Sequence, residues 1–333
     1  MQSPVLLLVI ALGVFGAIGA VLLLRSIFQN KSDESTWNDL TDQHRPVRVS
    51  NPSAFTPGVY ERLVVISAPY ALCHHDPWDH LSCSDLDDTR NMLASGWDIH
   101  SRIDLLAQIF WLITLGDRDK FGVERAQWAD VSLAEAERHE LRESAGSSSD
   151  AAETLWRLER MLDNDRDIRN VDFSAWDLVR AAMLTRCGAA LNWLPEAEAW
   201  DTLALLDQAL RMHYQNWGQV WESFRLGRWC WYSEDGEDAH YNDLHDLHRL
   251  QVLLAPEGPW GLVPWDIPVP QSSLMILDDS IDAGVAAPLD ADERERAPQW
   301  ERWIDDQVIL RGQRRSQHFG TDPERHQRFT KDT

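Results

Sequence analysis

Eleven residues, CHHDPWDHLSC at 73–83, hold two cysteines, three histidines and two aspartates. Thiolate and imidazole are the ligands zinc prefers, so a metal centre is the first chemistry to weigh. A structural zinc site takes four ligands, commonly from close-spaced pairs, and Cys73 and Cys83 are not spaced as such a pair. The same stretch also spells a helix start, with Asp76 as N-cap, Pro77 as first helical residue and Asp79 facing the positive helix end. His80 and Cys83 then share one face and remain the metal candidates of this stretch, while His74 and His75 point apart. HYNDLHDLH at 240–248 is a second cluster, with His245 and His248 on one helical face and His240 a turn and a half away. A solvated polar face produces the same pattern, and nothing in the sequence joins the two clusters.

Other catalytic signatures are missing. There is no GxSxG elbow, no glycine-rich phosphate loop and no cysteine in a recognisable nucleophile context. Among 54 acidic residues, paired carboxylates are not diagnostic. No catalytic residue and no cofactor is therefore assigned.

The chain has 333 residues, 44% of them apolar, enough for a sizeable core. Its 31 basic and 54 acidic residues leave a net charge of -23. A field of that sign repels phosphate backbones, which argues against nucleic acid and for a basic protein partner. Four cysteines, at 73, 83, 187 and 230, make no disulfide framework in a chain this long, so reduced thiols are expected. In an oxidising compartment Cys73 and Cys83 would be the expected pair.

Residues 4–24, PVLLLVIALGVFGAIGAVLLL, form an uninterrupted apolar run. At about 1.5 Å per residue it matches a hydrocarbon core about 30 Å thick, and it reads as a transmembrane helix. No basic side chain precedes it, whereas Arg25 and Lys31 follow, which places the body in the cytoplasm below a bacterial inner membrane. Residues 25–58 are polar and broken by Pro46, Pro52 and Pro57, a linker.

The body, 59–278, carries helical periodicity almost throughout, with one short strand expected at 63–66. IDLLAQIFWLITLG at 103–116 is a buried helix ended by Gly116. An amphipathic stretch at 132–143 and a turn at 146–149 follow. Ser174 and Asp177 resemble a capping box that opens a helix with Trp176, Val179, Met183 and Cys187 on one face. Pro195 opens another, with a stripe of Ala199, Leu203, Leu206 and Leu210. Helices near 218–232 and 239–254 complete the set. Residues 279–333 read as a charged, partly disordered tail with one amphipathic helix around Trp300, Trp303 and Ile304. The fold class is mainly α, a single helical domain after one transmembrane helix.

Seventeen tryptophans stand out, many beside arginine: Trp156 with Arg157, Trp176 with Arg180, Trp229 with Arg228, Trp97 with Arg102. An indole face attracts guanidinium, so such pairs make polar seams inside a helical core or line a pocket. Buried Arg180 and Arg186 would need carboxylates such as Asp177, Glu196 or Glu198.

GWDIHSR at 96–102, FWLITLGDRDKF at 110–121, FSAWDLVRAAMLTRCGAALNWLPEAEAW at 173–200, NWGQVWESFRLGRWCW at 216–231 and PWGLVPW at 259–265 together resemble the bacterial domain of unknown function family 1266, over about 90–266. The resemblance implies one helical domain, with Trp97, Asp177, Arg180, Gly188, Glu198, Trp217, Gly227 and Trp265 at its characteristic positions. Arg102, Arg186, Arg228 and Trp260 join them as structural or pocket candidates. The family lends no activity. The expected function is a membrane-anchored interaction module: scaffold, regulator or toxin neutraliser. The alternative is a hydrolase built on metal-binding His and Cys or on a Trp and Arg pocket.

Overall fold

The computed structural model of the protein describes Val49, Asn51 and residues 54–319. Residues 4–24, most of the 25–58 linker and the last fourteen residues lie outside them. Among the described residues no helix is long and apolar enough to cross a membrane. They are mainly helical, with no strand.

The chain order is α1 (Val59–Val64), a 3-10 turn (Val65–Ser67), α2 (Ala68–Cys73), α3 (Leu86–Trp97), α4 (Arg102–Thr114), α5 (Gly116–Gln127), α6 (Val131–Ser144), α7 (Ser149–Asp163), a second 3-10 segment (Asp165–Asn170) and α8 (Ser174–Ala190). Then come α9 (Glu196–His213), α10 (Trp217–Trp231), α11 (Gly236–Leu254), α12 (Pro259–Leu262), α13 (Met275–Asp282), α14 (Ala291–Arg296) and α15 (Gln299–Phe319).

Helix α8 is the axis of the body. Every residue from Ser174 to Gly188 is buried, because α4, α9, α10 and the 65–67 turn pack around it. Two glycines permit close helix packing: a Cβ on Gly188 would lie 2.4 Å from Leu105 Cδ2, and one on Gly227 2.9 Å from Trp176 Cβ. A smaller apolar cluster, including Phe121, Leu158, Met161, Phe173 and Trp229, sits apart from the main core. Helices α6 and α7 form a hairpin at its edge.

Several local expectations are overturned. Residues 63–66 are helical, not a strand. They are almost wholly buried and have no neighbouring strand, so a helix lets their backbone groups find partners within the segment. Asp76 and Pro77 start no helix; the chain there is a loop, and α3 begins at its own N-cap, Asp85, which accepts from Asp87 N and Asp88 N. Ser174 and Asp177 form no capping box: Phe173 is the N-cap, and Asp177 is turned to the interior. Helix α8 has no single apolar face because all its faces are covered. Pro195 sits one place earlier than expected, as N-cap of α9.

Helix α4 ends one residue before Leu115, and Gly116 turns the chain with φ +65°. A Cβ there would sit 2.1 Å from Asp177 Oδ2, so glycine is required by both backbone and space. At the amino end Phe55 packs edge-on against Trp78, ring centroids 5.3 Å apart. At the other end α13 runs across residue 278, and α15 packs on α13 and α4 with Trp300 and Ile304 buried.

Candidate functional site

The residues singled out by the family-like pattern build the interior. Asp177 accepts hydrogen bonds from the backbone N–H of Asp117 and of Arg118, both at 3.1 Å, and pairs with the guanidiniums of Arg118 (2.9 Å) and Arg180. Arg180 also pairs with Asp117 at 2.7 Å, and Trp176 Nε1 donates to the same carboxylate. Arg118 reaches Glu301 at 2.7 Å and donates to the carbonyls of Leu112 and Ile113 at the buried carboxyl end of α4, where the helix itself supplies no partner. Burial alone would lower the Arg180 pKa, but Asp177 and Asp117 hold it above its ordinary value, so the group is charged inside the core.

A second knot surrounds Arg62, which is fully buried. Its guanidinium lies 4.2 Å from the Trp217 ring and 4.6 Å from the Trp265 ring, and it pairs with Asp207 at 2.5 Å. Trp260 stacks on Trp217 and donates to Val65 O. Arg228 pairs with Asp246 at 2.9 Å.

Tertiary contacts reassign most of the tryptophan–arginine neighbours. Arg180 covers Trp176 as expected, at 4.4 Å, but Arg180 and not Arg102 approaches Trp97. Arg166 lies over Trp229, and Arg157 over Trp231. Arg102 instead binds Glu198 at 2.9 Å, Asp279 and the carbonyl of Trp193. Arg186 takes neither Glu196 nor Glu198.

Arg186 explains the 73–83 stretch. It pairs with Asp76 at 3.1 Å and donates to the carbonyls of His80 (3.2 Å) and Ser82 (2.7 Å), so one buried guanidinium organises the loop. Trp78 plugs the core beneath it. His80 is exposed, its Nδ1 accepting from Ser82 N. Cys83 is influenced by the neighbouring Cys187 thiol, which lowers its pKa, and all four cysteines are free. His240 is exposed, whereas His245 and His248 are buried; burial pushes His245 down to about 4. Its Nδ1 lies 2.8 Å from Arg249. Among the described residues no three His, Cys, Asp or Glu side chains converge where they could hold a metal ion.

One concavity was not anticipated. It is a cleft of about 550 Å³ lined by Arg118, Phe121 and Arg125 of α5, by Asp172 and Phe173 before α8, by His213 closing α9, and by Arg296 and Glu301. His213 Nδ1 lies 2.8 Å from Asp172 Oδ2, and Asp172 Oδ1 accepts from Ser174 N. Burial works to raise the Asp172 pKa, but His213 and Ser174 outweigh it and hold the carboxylate below its ordinary range. Tyr214 ties the same turn down, accepting from Ala175 N and sharing a hydrogen bond with Ser223. His213 Nε2 is buried without a hydrogen-bond partner, so no hydroxyl or thiol is poised on it as a nucleophile. Asp172 abuts the FSAW stretch, which was the one available signal; His213 carried none.

A family model described as "Protein of unknown function (DUF1266)" matches residues 92–265. The chain belongs to this family. Two curated Escherichia coli K12 relatives are similar: uncharacterized protein YbeR, 30% identical over 151 residues, and uncharacterized protein YbeU, 26% identical over 147. Each alignment covers 44% of this chain and 59% of the relative. No solved structure matches. The DUF1266 segment holds Trp97, Asp177, Arg180, Glu198, Trp217 and Trp265, yet several of its buried charges are completed from outside it. Asp76 serves Arg186, Glu301 serves Arg118, Asp279 serves Arg102, and Arg62 enters between two of its tryptophans.

Proposed function

We propose that the protein is a binding module tethered to the inner membrane through residues 4–24, its acidic helical body in the cytoplasm and docking a basic protein partner. The carrying observation is the α6–α7 hairpin. Val131 is 64% and Leu133 58% exposed at the start of α6, and residues 131–163 contain eight acidic against four basic side chains. Large exposed apolar side chains within an acidic surface suit a partner segment with an apolar stripe bordered by Lys or Arg. Buried carboxylates such as Asp177, Asp207 and Asp246 are matched by buried or half-buried arginines, so the excess acid faces outward and steers such a partner. The tether raises the local concentration of membrane-associated partners.

The test is photo-crosslinking in cells producing the full chain, with benzoylphenylalanine in place of Leu133 and, as control, of exposed Met212. A basic protein captured at position 133, not at 212, and lost on combining Glu135→Gln with Glu140→Gln, supports the reading. No adduct at 133, or the same adduct at both positions, overturns it. Recovery of the intact chain in the soluble fraction without detergent would remove the tether.

A further inference from the structure

We propose that the cleft between α5, the 170–174 turn, His213 and α14 binds a soluble organic oxyanion, a phosphate or carboxylate carrying an aromatic or short apolar group. No residue of the α6–α7 hairpin lines this cavity, so it is separate from the protein-docking surface.

Charge selects the ligand class. Within the cleft, Arg118 is spent on Glu301 and Asp177, and Asp172 is spent on His213. Two exposed arginines on the wall are not spent. Among the described residues Arg125 pairs with no carboxylate; it donates to the Arg169 carbonyl at 3.1 Å and lies 5.7 Å from the Phe121 ring. Among the described residues Arg296 pairs only with Asp119, at 3.5 Å. A guanidinium carries five N–H donors, so both retain forks that match an oxyanion. In a chain of net charge -23, unspent cations on a concave wall mark where an anion is accepted rather than repelled.

The wall has two further features. Helix α8 begins at Ser174, which also lines the cleft, so the positive end of a 17-residue helix adds to the field. His213 Nε2 is a buried nitrogen with an unmet hydrogen bond, a requirement the protein itself leaves open. The apolar part of the ligand has a place beside Phe121 and Phe173, whose ring centroids lie 3.9 Å apart.

Calorimetric titration of the detergent-solubilised full chain with phenyl phosphate tests the site, with inorganic phosphate and benzyl alcohol as the half-ligands. Saturable one-to-one binding of phenyl phosphate is expected, weaker for inorganic phosphate and undetectable for benzyl alcohol. Arg125→Met and Arg296→Met should each weaken it about tenfold, the value of one charge-assisted contact. Both side chains are exposed, and Arg125→Lys should recover part of the affinity, which separates loss of the contact from loss of the fold. Failure of phenyl phosphate to bind, or unchanged affinity in the double variant, overturns the site. Displacement by vesicles containing phosphatidic acid overturns its assignment to a soluble ligand. None of these outcomes bears on crosslinking at position 133.

Discussion

Replacing Asp177 with alanine removes the carboxylate that receives two backbone N–H groups and two guanidiniums inside the core. Taking one partner from a buried ion pair costs about 3–5 kcal/mol, because the remaining charge has no solvent to return to. Two contacts soften the loss here: Arg180 keeps Asp117 at 2.7 Å, and Arg118 keeps Glu301 at 2.7 Å. Two contacts deepen it, since the N–H groups of Asp117 and Arg118 lose their acceptor at about 1–3 kcal/mol for each left unsatisfied. The balance is a destabilisation of about 4 kcal/mol. At about 2 °C per kcal/mol for a large domain, the unfolding midpoint should fall by roughly 8 °C. Asp177→Asn keeps the shape and one acceptor but not the charge, and should lose most of the same amount. Asp87, 91% exposed and paired with Arg90, is the control, and its alanine variant should stay within about 0.5 kcal/mol of the parent. Thermal and urea unfolding followed by circular dichroism read all three. A loss below about 1 kcal/mol for Asp177→Ala would show that the buried network is not what holds α5 against α8.

Two further predictions concern titration. Burial lifts the Glu198 carboxyl to about 7 despite Arg102, so the folded protein keeps a proton there that the unfolded chain gives up above about 4.5. The stability this group contributes is therefore greatest below about 4.5 and falls as pH rises through about 7. His245, pushed down to about 4 by burial, acts in the opposite sense over an overlapping window. The Glu198→Gln difference isolates the first effect: the variant should gain on the parent in unfolding midpoint between pH 5 and 8, and a gap that narrows with rising pH would refute the assignment. Among the thiols, the neighbouring Cys187 lowers Cys83 against the effect of burial, whereas burial raises Cys73 and pushes Cys230 up to about 12. Iodoacetamide at neutral pH should alkylate Cys83 first, as read by peptide mass spectrometry; prior labelling of Cys73 or Cys230 would contradict the influence of Cys187 on Cys83.

What the sequence by itself determined is the helical class and the position of the long helices that pack around α8. Apolar spacing and end signals place helices at 103–116, from 174 through 187, from 195 through 210, near 218–232 and at 239–254, within a few residues of the observed elements, because periodicity and capping are local properties of the chain. It also identified the DUF1266 pattern and the buried character of Arg180 and Arg186. It offered Asp177, which Arg180 does meet, whereas only the tertiary structure decided the partner of Arg186 and of the other buried arginines. Arg186 and Asp76, Arg62 and Asp207, and Arg118 and Glu301 are brought together by helix packing from distant parts of the chain, and no local pattern encodes that pairing. The same holds for the cleft, where Asp172, His213, Arg125 and Arg296 come from four separate segments. The 73–83 stretch misled for the complementary reason: its residue types suit a metal or a helix cap, but a single guanidinium from α8 organises the loop, and that guanidinium arrives only when the helices pack.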